Sequence, residues 1–357
     1  MINPGVACAW SNEKATMSKA SRLAEEAKAG IFDPNLLAGE KFTALGEKAL
    51  GQDTLFAAFP KVEDSIMWYT RAADAFRNSM LWEEAGDCYR RIAENEKLIG
   101  NIEEAGTSYV DAAQMYERVN WRGAIEHYNS AISMYSQVGR FYQAGRYQRQ
   151  IANIQINELD DVPAGIRSFQ QAADYYIADG EHILADACLE EVANRCALTT
   201  RYERAAETFE ALALRSLQFN LRRFNAKTFF LRAGLVLLAA GDPEHTRRVR
   251  RRHKKQDFMY ASMAECQFLE DLTHAYENDD IHAWMDHIYN FNNFIQLNTF
   301  ELTLLKRGFD AIAVVVAEKK LLADEKKKKE EEEVRLKKER EKELRRQKQL
   351  KAQGVVI

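Results

Sequence analysis

The sequence predicts an all-α protein built as a solenoid of helical hairpins, and three observations support this prediction. Only five prolines and 17 glycines occur among 357 residues, while long stretches are rich in Ala, Glu, Arg, Leu and Gln, which favour helix. The alternation of Val, Ile and Thr that is typical of strands is absent. One large apolar residue also recurs about every twenty positions through the middle of the chain.

The repeat places a large side chain between small ones at helical spacing. Ser65 precedes the first large residue by four positions, and an Ala or Gly precedes each of the others by three or four. This spacing puts one knob and its neighbouring holes on a single helix face. Because a lone hairpin cannot bury its apolar face, one helix per repeat predicts a stack, here a right-handed, TPR-like solenoid. The large residues are Tyr69, Tyr89, Tyr109, Tyr128, Tyr147, Phe169, Leu189 and Phe209.

Asp, Pro and Gly predict the helix boundaries. Asp33-Pro34, Asp161–Pro163 and Asp242-Pro243 place a capping carboxylate before a proline in the first turn. Glycines between helical segments supply the positive φ that often follows a helix; they are Gly100, Gly139, Gly180 and Gly241. The predicted helices span 18–30, 36–49, 62–79, 82–99, 102–118, 121–137, 140–157, 162–178, 181–197, 201–218, 222–240, 243–254, 257–277, 280–293 and 297–323.

The same patterns divide the chain into four parts. These are an N-terminal extension (1–35), the TPR-like solenoid with an apolar loop at 51–60 (36–241), a C-terminal helical bundle (242–323) and a charged helical tail (324–357). The twenty-residue rhythm ends at Gly241, so the following segment is expected to close the stack. In the tail, opposite charges such as Glu331 and Arg335 are spaced i,i+4, and the apolar residues form no heptad pattern.

Charge and composition exclude several classes of protein. The net charge is −4, but the stretch from Asp324 to Lys351 carries +4, so the rest carries −8. An acidic body argues against nucleic-acid binding. No apolar run approaches the roughly 20 residues of a membrane span, and the first residues lack the apolar segment of a signal peptide. Five cysteines without CxxC spacing fit reduced thiols, so we predict a cytoplasmic protein.

Sequence patterns of catalytic sites are missing. There is no Gly-rich phosphate loop, no HExxH, no Cys/His metal pattern and no nucleophile elbow. His282 and His287 are five residues apart, which is the wrong separation for one helix face. We therefore predict no catalytic residue, no metal site and no cofactor, and expect that the protein is not an enzyme.

Three blocks of the chain resemble one known family. The first block, within Ser136–Tyr176, contains GRF, IANI, ELDDV and AADYY; the second is RFNAKTFF at 223–230, and the third lies between Gln296 and Lys306. Their order and spacing from about residue 36 to about residue 312 resemble the soluble NSF attachment proteins. GRF and AADYY belong to the α/β type of that family rather than to the γ type.

The resemblance implies an adaptor in SNARE complex disassembly. Such an adaptor binds assembled SNARE bundles, of syntaxin-like and other SNAREs, at the membrane surface and recruits the NSF AAA+ ATPase in vesicle fusion and intracellular transport. It implies several copies per SNARE bundle and peripheral membrane localisation. The periodicity alone also fits a general TPR-like scaffold for other partners, which an apolar or neutral concave face would favour. An enzyme or regulatory module would need a pocket with converging polar groups.

The resemblance places SNARE contacts on five cations. They are Arg118, Arg140, Arg146, Arg223 and Lys227. Cations one helix pair apart can line one face of a stack, and such contacts steer encounter, set register and weaken with salt. Two positions where the family carries lysine are Ala187 and Glu191 here, so we expect a changed affinity or a different SNARE partner.

The resemblance also implies that the loop 51–60, GQDTLFAAFP, attaches the protein to the bilayer. Leu55, Phe56 and Phe59 are the large apolar residues of this loop. Burying one such side chain stabilises by roughly 1.5–3 kcal/mol, so three would give weak, reversible attachment. The alternative is that they pack under the first helix pair.

The ATPase contact is expected at the C-terminal bundle. The resemblance assigns it to Glu277 and to Leu321 and Leu322, and Asp242, Asp279 and Asp280 add negative charge nearby. The segment from Leu321 to Glu325 resembles the terminal leucine motif of the family, although the chain here continues beyond it.

Two segments lie outside the family pattern. One is the N-terminal extension, and the other is the basic run from Arg247 to Lys255. The basic run fits contact with acidic lipid headgroups, an acidic partner, a nuclear import signal or an ordinary solvated face. The charged tail likewise fits either a solvated helix or contact with an acidic surface.

Overall fold

The computed structural model of the protein describes residues 34–51 and 58–352. Over these residues it contains fourteen α-helices, two short 3-10 turns (Arg223–Asn225 and Tyr260–Ser262) and no strand, which confirms the all-α class. The predicted helix 18–30 and Asp33 lie outside the described residues. The helices are α1 Pro34–Leu50, α2 Ala58–Asn78, α3 Trp82–Ile99, α4 Ile102–Tyr116, α5 Trp121–Gln137, α6 Phe141–Asn157, α7 Val162–Asp179, α8 His182–Leu198, α9 Tyr202–Leu217, α10 Ala226–Ala239, α11 Pro243–Gln256, α12 Ala264–Glu277, α13 Ile281–Phe294 and α14 Thr299–Ala352.

The chain divides into two compact units. Unit 1 ends at Arg195 and unit 2 begins at Cys196, so the division falls inside α8. The predicted limits at 35, 241 and 323 stay predictions.

Unit 1 is a stack of neighbouring helices. Each helix from α2 to α6 packs on the helix before it and the helix after it in the chain, which is the arrangement of a solenoid. The small residues of the repeat form its closest contacts: Ala85, Ala105 and Ala124 are fully buried. Tyr89 and Tyr147, two of the predicted knobs, are only half-buried. The small residues therefore set the spacing of the stack more uniformly than the large ones.

Aromatic rings fill the space that glycines leave on neighbouring helices. A Cβ atom added to Gly46 would lie 3.1 Å from the ring of Tyr69, and one added to Gly145 would lie 3.1 Å from the ring of Tyr176. Side chains this close have little room to move, because protein interiors are close-packed. The glycines inside these helices thus allow tight packing between helices.

The turns of the stack combine predicted and unpredicted features. Gly100, Gly139 and Gly180 adopt positive φ after their helices, as predicted, and so does Gly241 in unit 2. Met80, Asp160 and Thr200 also adopt positive φ, which side chains rarely do. Asp161 accepts a hydrogen bond from the amide of Ala164 at 3.0 Å, confirming one predicted cap.

Unit 2 is organised around α10. This helix packs against α9, α11, α12 and α14. Its side chains are buried on all sides, including Phe230, Leu235 and Leu238, as expected for a helix without a polar face. Asp242 caps α11 by accepting from the amide of His245 at 2.8 Å, as predicted.

Two helices of unit 2 begin later than predicted. The chain forms a 3-10 turn before α10, so this helix begins at Ala226 rather than at 222. After α11, Asp257 accepts from the amide of Met259 at 3.2 Å and from Arg223 at 3.2 Å. These bonds hold a turn in place of a first helical turn, and α12 begins only at Ala264.

The last helix joins the bundle to the charged tail. Asn298 and Glu301 exchange hydrogen bonds with each other's amides and so define the start of α14. Arg232 pairs with Glu301 at 2.9 Å, and both side chains are nearly buried. From Lys319 to Lys342 the helix is exposed. The predicted long charged C-terminal helix is therefore confirmed as a continuation of a bundle helix.

Candidate partner-binding surfaces

Two of the predicted SNARE contacts line one cavity in unit 1. The cavity has a volume of about 830 Å³ and lies among α4, α5 and α6. Arg118 follows α4, and Arg146 lies on α6. Sequence reasoning missed a third arginine, Arg149, which lines the same cavity and lies three residues after Arg146, on the same side of α6.

Trp121, Tyr128 and Tyr147 line this arginine cavity together with one carboxylate, and two of its arginines stack on aromatic rings. The guanidinium of Arg118 lies 4.9 Å from the ring centre of Trp82, and that of Arg146 lies 5.5 Å from the ring centre of Tyr147. Stacked arginines keep their charge and their donors available. Within the described residues, these arginines and Arg149 form no ion pair with a carboxylate.

Glu117, the carboxylate that lines the arginine cavity, is held by neutral partners. It accepts hydrogen bonds from the hydroxyl of Tyr128 at 2.9 Å and from the amide of Gln150 at 3.0 Å. Burial raises the pKa of Tyr128, and the charge of Glu117 raises it further. Three arginines against one carboxylate leave the cavity positively charged at neutral pH.

Arg140, another predicted SNARE contact, has an acidic partner within unit 1. It pairs with Glu103 at 3.0 Å, and both side chains are about half exposed. It does not line the arginine cavity. Exposed pairs of this kind exchange readily with solvent and contribute little to stability.

The two predicted contacts in unit 2 are held more firmly. Arg223 pairs with the buried carboxylate of Asp257 at 3.2 Å. Lys227 is nearly buried, pairs with Glu265 at 2.6 Å and lies 4.1 Å from the ring centre of Phe224. Lys227 therefore has a structural role in unit 2.

Apolar residues beside these two cations project into solvent. Leu221 is 99% exposed, and Phe224 is 68% exposed. Both lie in the segment between α9 and α10, next to Arg223. The sequence analysis missed Leu221 and Phe224 because it selected only charged residues in this segment. The arginines that flank them could have indicated that these apolar residues are exposed.

Ala187 and Glu191, where the resemblance led us to expect lysines, lie on α8. Ala187 is exposed, and Glu191 is half-buried. Glu191 pairs with Arg195 one turn along the helix at 3.4 Å. The carboxylate is thus neutralised locally, and no cation replaces the lysines at these two positions.

The predicted membrane loop lies largely outside the described residues. Leu55 and Phe56 are not described, and Phe59 falls in the first turn of α2. The attachment role of these residues stays a prediction. Across 34–51 and 58–352, no helix is long and apolar enough to span a bilayer.

The predicted ATPase contacts lie at helix ends in unit 2, and their carboxylates have intramolecular partners. Asp242 and Asp280 cap α11 and α13, the latter by accepting from the amide of Ala283 at 2.9 Å. Glu277 pairs with Arg247, and Asp279 pairs with Lys319. Basic residues of α11 and α14 therefore offset part of this negative charge.

Leu321 and Leu322, the predicted leucine contacts, are exposed on α14. Their side chains are 64% and 59% exposed. The helix continues past them without a break. The leucines that resemble the terminal motif therefore lie within a continuous helix, not at its end.

Comparisons with known proteins agree with the resemblance. A sequence profile described as soluble NSF attachment protein, SNAP, matches residues 38–312. The beta-soluble NSF attachment protein of Bos taurus is 28% identical over 71% of this chain and 85% of its own length. The alpha-soluble NSF attachment proteins of Vitis vinifera and Saccharomyces cerevisiae are 29% and 27% identical, over 78% and 69% of this chain and 95% and 85% of their own lengths.

A solved structure of a signal transduction ATPase with a tetratricopeptide repeat sensor, from Pyrococcus horikoshii, is also similar. It is 17% identical, with a TM-score of 0.35 over 79% of this chain and 43% of that chain. The helical stack and the bundle define an α-helical repeat protein on their own contacts. The profile match over most of the chain identifies its family: the chain belongs to the soluble NSF attachment protein family.

Proposed function

We propose that this protein is a non-catalytic adaptor that binds assembled SNARE bundles at membranes and recruits the NSF ATPase. The observation that carries the proposal is the arginine cavity, where Arg118, Arg146 and Arg149 face one concavity without a carboxylate partner. A positive concavity between helices suits the acidic surface of a SNARE bundle. Electrostatic contacts of this kind steer encounter and fix register.

The exposed segment before α10 supplies a second contact of mixed character. Leu221 and Phe224 offer apolar area beside Arg223. Arg223 can turn part of its charge outward, since its side chain is 49% exposed. Lys227 acts by holding this segment in place through Glu265.

Charge reversal in the arginine cavity tests SNARE binding. We expect Arg118→Glu with Arg146→Glu to weaken capture of assembled SNARE bundles roughly tenfold or more, because reversal replaces attraction by repulsion. The loss should be larger at low salt than at high salt. The control variant Lys97→Glu with Arg167→Glu makes the same change in charge at exposed positions outside the cavity. It should bind SNARE bundles like the native protein. Equal binding by the two double variants would exclude the arginine cavity as the contact.

Recruitment of the ATPase is measured separately. The native protein should stimulate ATP hydrolysis by an NSF homologue in the presence of SNARE bundles. Leu321→Ser with Leu322→Ser should reduce that stimulation while leaving SNARE capture intact, since the two leucines are exposed in unit 2. Failure to recover either SNARE bundles or the ATPase with the native protein would refute the adaptor function.

The membrane loop has its own test. Phe56→Ser with Phe59→Ser is expected to lower association with liposomes without unfolding the protein, because each phenylalanine buried in the bilayer adds roughly 1.5–3 kcal/mol. Unchanged association would assign these residues to packing under the first helix pair.

A further inference from the structure

The outward face of α11 carries a stripe of cations. Arg248, Arg251 and Lys255 are exposed and lie three and four residues apart, so they share one side of the helix. Arg252 is exposed beside them. We call the first three residues the basic stripe.

The cations on the other sides of α11 are neutralised within unit 2. Arg250 is buried and pairs with Glu270 of α12, which also binds Lys254 at 3.2 Å. The bond from Arg250 is the main cause of the lowered pKa of Glu270. The buried ring of His253 lies 3.0 Å from Glu210.

The basic stripe has no such partner. Among the described residues, none of its three cations forms an ion pair with a carboxylate. Arg252 differs, since it pairs with Glu210. Carboxylates of α9 and α12 therefore meet the inward cations of α11, and the outward cations remain available to an external anion.

An apolar tip follows the basic stripe. Phe258 is 89% exposed, and Met259 is 56% exposed, directly after the end of α11. Asp257 fixes the turn that presents them, through its bonds with the amide of Met259 and with Arg223. Two adjacent exposed apolar side chains beside a row of cations form an apolar patch with a polar rim, as at protein or membrane interaction sites.

We propose that the basic stripe and the Phe258–Met259 tip together dock on an anionic lipid bilayer. Cations attract the negative headgroup surface, and apolar side chains at the end of the stripe enter the interface, as in peripheral membrane helices. A nucleic acid offers no apolar layer for the tip, whereas the bilayer interface accepts both the cations and the apolar side chains. This surface shares no residue with the loop 51–60 or with the arginine cavity, and it needs no SNARE protein.

The experiment is co-sedimentation of the full chain with vesicles of phosphatidylcholine and phosphatidylserine. Arg248→Gln, Arg251→Gln and Lys255→Gln combined should lower partitioning roughly 100-fold at low salt, from about fivefold per cation. Lys97→Gln, Arg122→Gln and Arg167→Gln remove the same charge from exposed positions of unit 1 and should partition like the native protein. Circular dichroism confirms that both triple variants are folded.

Two further arms identify the ligand and the role of the tip. Vesicles of phosphatidylcholine alone should bind the native protein no better than they bind the stripe variant. With Phe56→Ser and Phe59→Ser already present, Phe258→Ser with Met259→Ser should remove the part of the binding that persists at high salt. The loss in the stripe variant should persist when Phe56→Ser and Phe59→Ser are already present, which separates it from the loop.

Three results would overturn the proposal. The stripe variant could bind phosphatidylserine vesicles like the native protein, or both triple variants could lose binding equally. The native protein could instead bind duplex DNA or an acidic peptide through the basic stripe without binding vesicles. Because the vesicles hold no SNARE protein, failure here leaves the adaptor function unaffected.

Discussion

Unit 1 and unit 2 are both helical, but they bury their apolar surface in different ways. In unit 1, the helices α2 to α6 pack on their neighbours in sequence, and fully buried alanines such as Ala105 and Ala124 bring them close. In unit 2, α10 is enclosed by four helices, and one of them, α14, lies some seventy residues further along the chain. Local patterns are sufficient to specify a stack, whereas a bundle depends on contacts between distant segments.

The two units also treat charge differently. In unit 1 the unpaired Arg118 and Arg146 share a cavity, while in unit 2 the buried Arg250 and the nearly buried Arg232 are paired, and the unpaired cations lie on the outward stripe of α11. Unpaired cations on an otherwise acidic chain are available for partners. Paired cations hold the bundle together. The following experiments test this comparison, beginning with the largest expected effect.

Truncation of the central helix should affect the whole of unit 2. Phe230→Ala removes a fully buried ring that stacks on His253 at 4.1 Å and lies 5.1 Å from Tyr260. We expect a loss of about 3–5 kcal/mol in the free energy of unfolding. Hydrogen exchange should show lost protection in all of α9 to α12. Ile151→Ala in unit 1 should instead reduce protection only in α6 and its two neighbouring helices. Loss of protection over equally many helices in both units would contradict the contrast between stack and bundle.

A methyl group added inside the stack should destabilise it locally. The Cβ of Gly165→Ala would lie 2.3 Å from Cγ1 of Ile156 and 3.2 Å from the carbonyl oxygen of Ala152. Overpacking of this kind costs about 1–3 kcal/mol, which outweighs the better helix propensity of alanine. Urea unfolding measures the loss. Ile156→Ala in the same chain should restore part of it, and strictly additive effects would show that the two side chains do not meet.

Loss of a buried carboxylate should weaken unit 2 and remove a pH dependence. Burial of Glu210 acts to raise its pKa, but hydrogen bonds from His253 and Arg252 outweigh this and lower it. A carboxyl group whose pKa is lowered by folding stabilises the folded state at pH values above its unfolded pKa, about 4.3. That stabilisation is lost as the pH falls through the folded pKa. Glu210→Gln should cost about 1–3 kcal/mol at neutral pH. Its difference from the native protein should shrink in acid; a constant difference would contradict the lowered pKa.

Unit 1 should lose stability as pH falls through the range in which an unfolded histidine ionises. Burial lowers the pKa of His127, whose ring lies 4.8 Å from that of Tyr116 and 6.4 Å from that of Tyr109. The folded state therefore holds this ring neutral, and stability falls as pH drops below the unfolded value of about 6.5. Melting temperatures from pH 7 to 5 should decline less in His127→Gln than in the native protein. Parallel curves would show that His127 does not contribute.

The smallest effect is expected at the exposed pair of unit 1. Glu103→Ala frees Arg140 and should change the free energy of unfolding by only about 0.2–1 kcal/mol. If Arg140 contacts the SNARE bundle as proposed, the same variant should bind it at least as tightly as the native protein. Weaker binding would place Arg140 outside the contact.

The difference between the two units also explains where sequence-based prediction succeeded. Helices α3 and α5 begin and end at the predicted residues. A periodic apolar face fixes both, and Gly100 ends α3 while Asn120 caps the start of α5. The positive φ of Met80 and Thr200 was missed, since neither residue type favours that conformation. The late start of α12 was missed because it depends on the distant pair Arg223–Asp257.

The sequence by itself determined the all-α class, the repeat, most helix limits and the family, because these depend on local spacing and on blocks of residues that can be compared directly. Only the tertiary structure decided which cations are available. Arg118 and Arg146 share a cavity with Arg149, whereas Lys227 is bound to Glu265. It likewise separated the outward stripe of α11 from the inward cations of the same basic run. Whether a cation is paired or available depends on which carboxylates other helices bring close to it. The sequence of a single segment does not specify this.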